Sequence, residues 1–400
     1  MNIREDDKWI LDAMGIDPSR MRNRICFDVW NDISHLRDED MLRNGTRGVY
    51  VELLLNRKYH GLYCLSDKVN RKLLGLKKLK EEDDSLTYGV RGVLYKCQGN
   101  SPYTSRLTFP ADTEHDYAST AVEDMWWVEG TLWHDWGLEY PDEYPVHKTW
   151  EPLLRLLQFT SQTDERPMEA DARLDDFFYI DNLVEYSVFV LNFMLLDNVF
   201  HNSYLSSRNQ EKGKQLWITP WDLDSSFGRD GYGTFLNVIA DPDWVLWNSR
   251  PVSQLFADHT TLYFRRCAQC WNELKEGYLH PDAMEERLRA YADLFATSGA
   301  WERERNLWNG RLHVGAHPVV NLRETPYDEA NLMADWYRRN YEALDVLFAD
   351  APSADSVAPA AGRATCRGVF TAEGKPLPPD VKLQGLPRGV YIVNGRKVVR

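Results

Sequence analysis

Apolar positions change period several times along the chain, and each change marks an element. Over residues 18–31 (PSRMRNRICFDVWN), Met21, Ile25 and Val29 recur every four residues. That spacing predicts an amphipathic helix with Arg20, Arg22 and Arg24 pointing away from its buried face. Pro18 suits its first turn. Residues 48–65 read as a β-hairpin, because GVYVELLL and YHGLYCL are rich in β-formers and Asn56-Arg57-Lys58 supplies the turn. The basic run that follows, KVNRKLLGLKKLK, reads as a solvated face that could also meet phosphate, and YGVRGVLYK (88–96) predicts one more strand.

Residues 110–170 are loop-heavy. Pro141, Pro145 and Pro152 are expected to break any long helix there, and a helix begins over Trp150 to Leu157. From about 182 to 196 both helical faces are apolar, which predicts a buried spine capped by Asp181 and ending at Asp197. SYLSS (203–207) and QLWIT (215–219) predict a second hairpin across EKGK. Residues 252–349 are helical in pattern throughout, 350–364 form a Pro/Ala/Ser linker, and 365–400 carry short strand-like pieces. The sum is an α+β chain: part of a small β-containing lobe over 1–110, a large helical lobe over 111–349, the linker, and a short C-terminal β appendage.

Composition narrows the classes. With 400 residues and 43% hydrophobic content the chain can bury a sizeable core. A formal charge of −14 argues against a sequence-independent nucleic-acid binder, which needs cations to displace counterions. Of six cysteines only Cys267 and Cys270 form a C-x-x-C, and on a helix this reads as packing. No stretch is long and apolar enough to cross a membrane, and MNIREDDKW lacks the apolar core of a signal peptide. The fifteen tryptophans are core, or, for Trp126, Trp127, Trp133, Trp136 and Trp150, a surface that grips an extended polymer such as a glycan.

Candidate chemistry concentrates in LLDNVFHNSYLSS…QLWITPWDLDSSFG. Asn202 follows Asp197 by five residues, the spacing of a kinase catalytic loop, in which the Asp takes the proton of the attacking hydroxyl and the Asn binds magnesium. Asp222 and Asp224 alternate with Leu223, so in an extended strand both would face one cation. Taken singly, each motif also reads as a turn with an Asx cap or as a strand end with capping carboxylates. The order of buried helix, D-x-x-x-x-N, hairpin and D-x-D is the kinase order.

The stretch resembles the CotH family of atypical protein kinases. WILDAMGIDPSRMRNRICFDVW looks like the helix that precedes the family hairpin, RGVYVELLLNRKYHGLYCLSDKVNRKLL looks like that hairpin, and EYPDEYP, DNVFHN and PWDLD look like further blocks. The resemblance covers about 1–240. It implies a two-lobed kinase-like fold and transfer of the ATP γ-phosphate to Ser or Thr hydroxyls of a protein substrate. By position, Asp197 would be the base, Asn202 and Asp222 ligands of Mg²⁺ (or Mn²⁺), and Asp224 a further ligand or a partner of one. Asp67 stands where the family usually has Glu and is the candidate on the cofactor side. In the family a strand ending in R-x-K precedes the block that begins here at Trp9, so the resemblance implies a small lobe without its first strands and their lysine. An upstream part would carry any signal peptide, with an exported or envelope location. LPRGVYIVNGRKVVR resembles C-terminal tails of exported proteins of some Gram-negative bacteria, and equally an ordinary terminal hairpin. Three functions follow: an active kinase, a nucleotide-binding pseudokinase, or a glycan-binding surface protein whose acidic set holds calcium.

Overall fold

The computed structural model describes residues 5–34, 44–81, 88–97, 120–121, 124, 136–141, 146–163, 167–198, 201–246, 252–349, 351, 369–371, 390–393 and 396–399. The chain divides into two compact units, Met1–Ala351 and Pro352–Arg400.

The hairpin expected over 48–65 forms as β2 (Gly48–Leu55) and β3 (Lys58–Asp67), and β1 (Trp9–Asp12) pairs antiparallel with the far side of β3. Asn56 and Arg57 both take left-handed backbone angles, φ 52° and 66°, which matches the strand twist. β1 lies where the family resemblance implied a helix. Its alternation is two-fold, with Trp9 and Leu11 exposed and Ile10 and Asp12 half-buried.

Helix α1 (Arg22–Ile33) starts later than its apolar period suggested, and Pro18 lies ahead of it. The Asp17 carboxylate sets this start by accepting from the Ser19 and Arg22 amides, each at 2.8 Å. Arg20, Arg22 and Arg24 do not point to solvent. All three are buried, with Arg22 0% exposed. Arg22 donates to Asp17 Oδ1 at 2.7 Å, to Glu329 Oε1 at 2.8 Å and to the Ser226 carbonyl at 3.2 Å. Arg20 donates to Glu304 Oε1 at 3.0 Å and to the Met14 and Asp17 carbonyls. Arg24 reaches Asp28 Oδ1 at 2.9 Å and the Thr46 carbonyl at 2.8 Å. A buried cation is tolerable only when paired in this way.

Two short strands, β4 (Lys80–Glu81) and β5 (Tyr88–Gly89), precede β6 (Val93–Cys97), so the single strand read over 88–96 is two. The basic run before them is not wholly a solvated face: Val69, Leu73, Leu74 and Leu76 pack on Leu94 and Tyr204. β6 pairs with β7 (Trp136–Tyr140) and with β8 (Ser203–Ser207), and β9 (Trp217–Pro220) closes the sheet in the order β7-β6-β8-β9. Its edge backbone is covered by two asparagines. Asn182 accepts from the Ile218 amide at 2.6 Å, and the Asn44 amide donates to the Ile218 carbonyl at 2.7 Å.

Helix α2 (Val146–Thr163) passes through Pro152 without breaking, α3 (Pro167–Asp171) follows, and α4 (Ile180–Phe193) is the expected spine, buried from Asn182 to Phe193. Asp181 does not cap α4; it lies in the first turn, and Tyr179 precedes the helix, stacked on Trp217 at 3.8 Å. On the spine pack α5 (Pro242–Leu246), α7 (Leu262–Leu274) and α10 (Pro326–Ala349); α6 (Val252–Ala257) packs between α5 and α7, α8 (Pro281–Thr297) on α10, and α9 (Ala300–Trp308) on α8 and β3, with a small hairpin of β10 (His313–Val314) and β11 (His317–Pro318) between α9 and α10. Cys267 and Cys270 are both fully buried on α7, as packing requires. Trp136 and Trp150 are core as well, 2% and 3% exposed, so neither offers a glycan grip; Trp126, Trp127 and Trp133 lie outside the described residues. No helix among the described residues is long and apolar enough to cross a membrane. In the second unit β12 (Val369–Thr371), β13 (Val390–Val393) and β14 (Arg396–Val399) form an antiparallel sheet in that order. The linker over 350–364 lies outside the described residues apart from Ala351.

Glu329 on α10 is the hub of this packing. It is fully buried and accepts from Arg22, from Arg229 at 2.8 and 3.0 Å, and from Arg323 at 3.0 Å. Burial alone would push its carboxyl up, yet Arg22 and Arg229 hold it below the ordinary glutamate range. Glu329→Ala strands two buried guanidinium groups and is expected to cost about 3–5 kcal/mol in urea unfolding. Arg323→Ala, whose side chain is 50% exposed, is expected to cost under about 1 kcal/mol.

Candidate active site

Helix α4 ends because Met194 adopts a left-handed conformation, φ 46°, and turns the chain into a tight loop. The loop presents Asp197, whose carbonyl accepts from the Asn202 amide at 3.1 Å and whose Oδ2 accepts from Asn202 Nδ2 at 3.0 Å. The Asp–Asn pair at five-residue spacing is therefore one hydrogen-bonded unit. Its carboxylate is half exposed, with His201 Nε2 3.9 Å from Oδ1.

Asn198 fastens this loop to the second acidic segment. It is fully buried, and its Nδ2 donates to the carbonyls of Asn202 at 3.0 Å and Trp221 at 2.6 Å. The Tyr186 hydroxyl holds the Asn198 carbonyl at 2.6 Å from within α4. The Trp221 amide donates to the Asn202 carbonyl at 3.0 Å, which closes the link.

The second segment is not an extended strand. β9 stops at Pro220, and Asp222 sits at φ 55°, so the alternation that would aim Asp222 and Asp224 the same way does not apply. Asn23 on α1 holds the segment instead. Its Oδ1 accepts from the Leu223 amide at 3.1 Å, and its Nδ2 donates to Asp12 Oδ2 at 3.0 Å. Downstream, Phe227 and Gly228 are both left-handed. A Cβ on Gly228 would lie 2.5 Å from Trp336 Nε1, so only glycine fits there. Phe227 packs on Phe193 at 5.1 Å and ties the segment back to the spine.

Asp197, Asp222 and Asp224 are brought together electrostatically, and Asp12 joins them. Burial, then the charges of Asp12 and Asp197, push the Asp222 carboxyl up to about 6. Burial, then Asp222, Asp17, Asp12 and Asp197, hold Asp224 well above the carboxylate range. Burial also raises Asp197, with His201 opposing. The basic side chains that oppose this rise at Asp222 are Lys96 and His201. Asp67 stands apart at the end of β3, almost fully buried, its Oδ2 accepting from the Arg47 amide at 3.2 Å. A cleft of about 300 Å³ opens beside the cluster between Ile10, Leu11 and Phe27 on one side and Trp221 and Asp222 on the other, with Asp12 on its wall. Sequence reasoning missed Asp12, Asn23, Lys96 and Asn198. Only Asn198 had a signal, its place beside Asp197.

Among the described residues no group of three or more His, Cys, Asp or Glu side chains is arranged to hold a metal ion. Two carboxylates and the Asn202 side-chain oxygen are a smaller set of hard donors. They fit a cation that keeps water and phosphate in the rest of its shell, as magnesium does. Carboxylates that raise one another's proton affinity are also a place where a cation is favoured.

An α+β protein with an acidic cleft, in which a hydrogen-bonded Asp-x-x-x-x-Asn loop is clasped to an Asp-x-Asp segment, has the residue order of a kinase-type centre. The family described as CotH kinase protein matches residues 1–344, and the chain belongs to this family, whose function is kinase-like. A comparison with curated proteins gave no match.

The raised Asp222 carboxyl carries a sign. Its folded value, about 6, lies above the roughly 3.9 of an unfolded Asp, so its contribution is most favourable below pH ~4 and is lost as pH rises through 6. In chelator-treated protein, Asp222→Asn is expected to raise stability on the order of 1 kcal/mol at pH 8, the gain vanishing near pH 4. Thermal melts across that range check it, and destabilisation at pH 8 would contradict the like-charge account.

Proposed function

We propose that this chain is an ATP-dependent phosphotransferase that moves the γ-phosphoryl group to a Ser or Thr hydroxyl of a secreted or surface protein. What carries the reading is the Asp197–Asn202 unit clasped by Asn198 to the Asp222–Asp224 segment. Asp197 accepts the hydroxyl proton as the oxygen attacks the γ-phosphorus and the bond to the β,γ-bridging oxygen breaks, leaving ADP. Its raised proton affinity suits a base better than a free Asp would. Asn202, Asp222 and Asp224 would hold Mg²⁺ (or Mn²⁺), which when bound would neutralise phosphate charge. Asn23 and Asn198 orient the two loops, and the apolar walls of the cleft, Ile10, Leu11, Phe27 and Trp221, exclude water from the nucleotide. An exported or envelope location goes with this substrate class.

Radiolabelled ATP with Mg²⁺ and candidate secreted proteins tests the activity. Asp197→Asn is expected to lower kcat by about 10²–10⁴-fold while ATP affinity stays within a few-fold. Asp222→Asn is expected to weaken metal-dependent ATP binding as well, read as a lost thermal shift with ATP–Mg²⁺. Wild-type transfer retained in both variants would sink the assignment. Binding of ATP–Mg²⁺ without transfer by the wild-type chain would place it among pseudokinases instead.

A further inference from the structure

We propose that Lys96 is the cationic contact for the transferring phosphoryl group; the proposal rests on the phosphotransferase reading above and deepens it. Lys96 lies on β6, in the interior of the four-stranded sheet, where its backbone pairs with Gly137 on β7 and Tyr204 on β8. β8 is the strand that leaves the catalytic loop directly after Asn202. The Lys96 ammonium stands 5.9 Å from the centre of the Tyr204 ring. Tyr204 meets Trp221 edge to face at 5.9 Å, and Trp221 lines the cleft next to Asp222. Two ring contacts thus link the Lys96 ammonium to the cleft wall beside Asp222.

Lys96 is half-buried, and among the described residues its ammonium makes no hydrogen bond and no ion pair. Glu139 on β7 acts on the same Tyr204 ring, yet among the described residues it forms no ion pair with Lys96. A ring face compensates only part of the hydration such a cation gives up. Its field reaches Asp222, which it favours in the charged form. Around it stand carboxylates: Asp12 and Asp197 act on Asp222, and Asp222, Asp17, Asp12 and Asp197 act on Asp224. A phosphoryl group in transit spreads negative charge over three equatorial oxygens and needs donors aimed at them. A lysine on a flexible stem with rotatable donors can follow that group as it moves. Among the described residues Lys96 is the lysine whose charge acts on Asp222.

The competing role is purely local, with Lys96 only offsetting Asp222. That role would weaken ATP·Mg²⁺ and ADP·Mg²⁺ alike, whereas a γ-phosphoryl contact separates them. The test measures kcat and the affinities for ATP·Mg²⁺ and ADP·Mg²⁺ in the full chain, in Lys96→Met, in the polar but uncharged Lys96→Gln and in Lys96→Arg. Lys72→Met serves as control, because that side chain is 52% exposed and bridges Asp6 and Asp7. The expected result is a kcat loss of about 10²-fold in Lys96→Met and Lys96→Gln, with ATP affinity reduced roughly ten-fold more than ADP affinity and partial rescue by arginine. Lys72→Met stays at wild-type values. Equal losses for the two nucleotides, or kcat within about three-fold of wild type, overturn the proposal. If Asp197→Asn is dead while Lys96→Met is fully active, only this inference falls. If the wild-type chain binds no ATP·Mg²⁺, the phosphotransferase reading falls and takes it along.

Discussion

The buried pairing of Arg22 with Asp17 and Glu329 is the constraint on which the rest depends. One guanidinium, with no exposure at all, joins the start of α1, the first turn of α10 and the Ser226 carbonyl just beyond the acidic segment. Burial by itself lowers the proton affinity of such a group, and the two carboxylates reverse this and hold Arg22 above its ordinary value. Arg229, five residues beyond Asp224, shares the same carboxylate at 2.8 Å. Removing the carboxylate would leave opposed cations in a dry interior, so α1, α10 and the loop between them stand or fall together.

From that anchor the centre is assembled by amides. Asn198 binds the two acidic loops to each other, and Asn23 binds the second loop to α1 and Asp12. Neutral donors suit this task, because a cation in their place would cancel the negative field that the centre holds. Burial, and then that field, push Asp222 up to about 6, and the field makes the cleft receptive to a cation with its phosphates.

Legibility in the sequence followed the range of the interaction. The spine helix, the hairpin of β2 and β3, and the Asp197–Asn202 spacing were readable because neighbours within a few residues determine them. Asp181 was misread as a cap because the Tyr179–Trp217 stack, across 38 residues of chain, sets where α4 begins. Arg20 and Arg22 were misread as solvent-facing because their partners lie as far off as Glu304 and Glu329. Asp222 was misread as extended because β9 ends at Pro220 and the left-handed turn that follows is held by Asn23 from another element.

By itself the sequence determined the α+β class, the family, and the residue types that bear the chemistry, since period, turn chemistry and motif spacing are local properties. Only the tertiary structure decided which charges are buried together and how the Asp-x-Asp segment is turned. It also placed Asp12, Asn23 and Lys96 around that segment, positions that nothing along the chain advertises. The physical reason is that burial and electrostatic coupling act through space, and the carboxylates and cations that answer one another here come from strands and helices far apart in the chain.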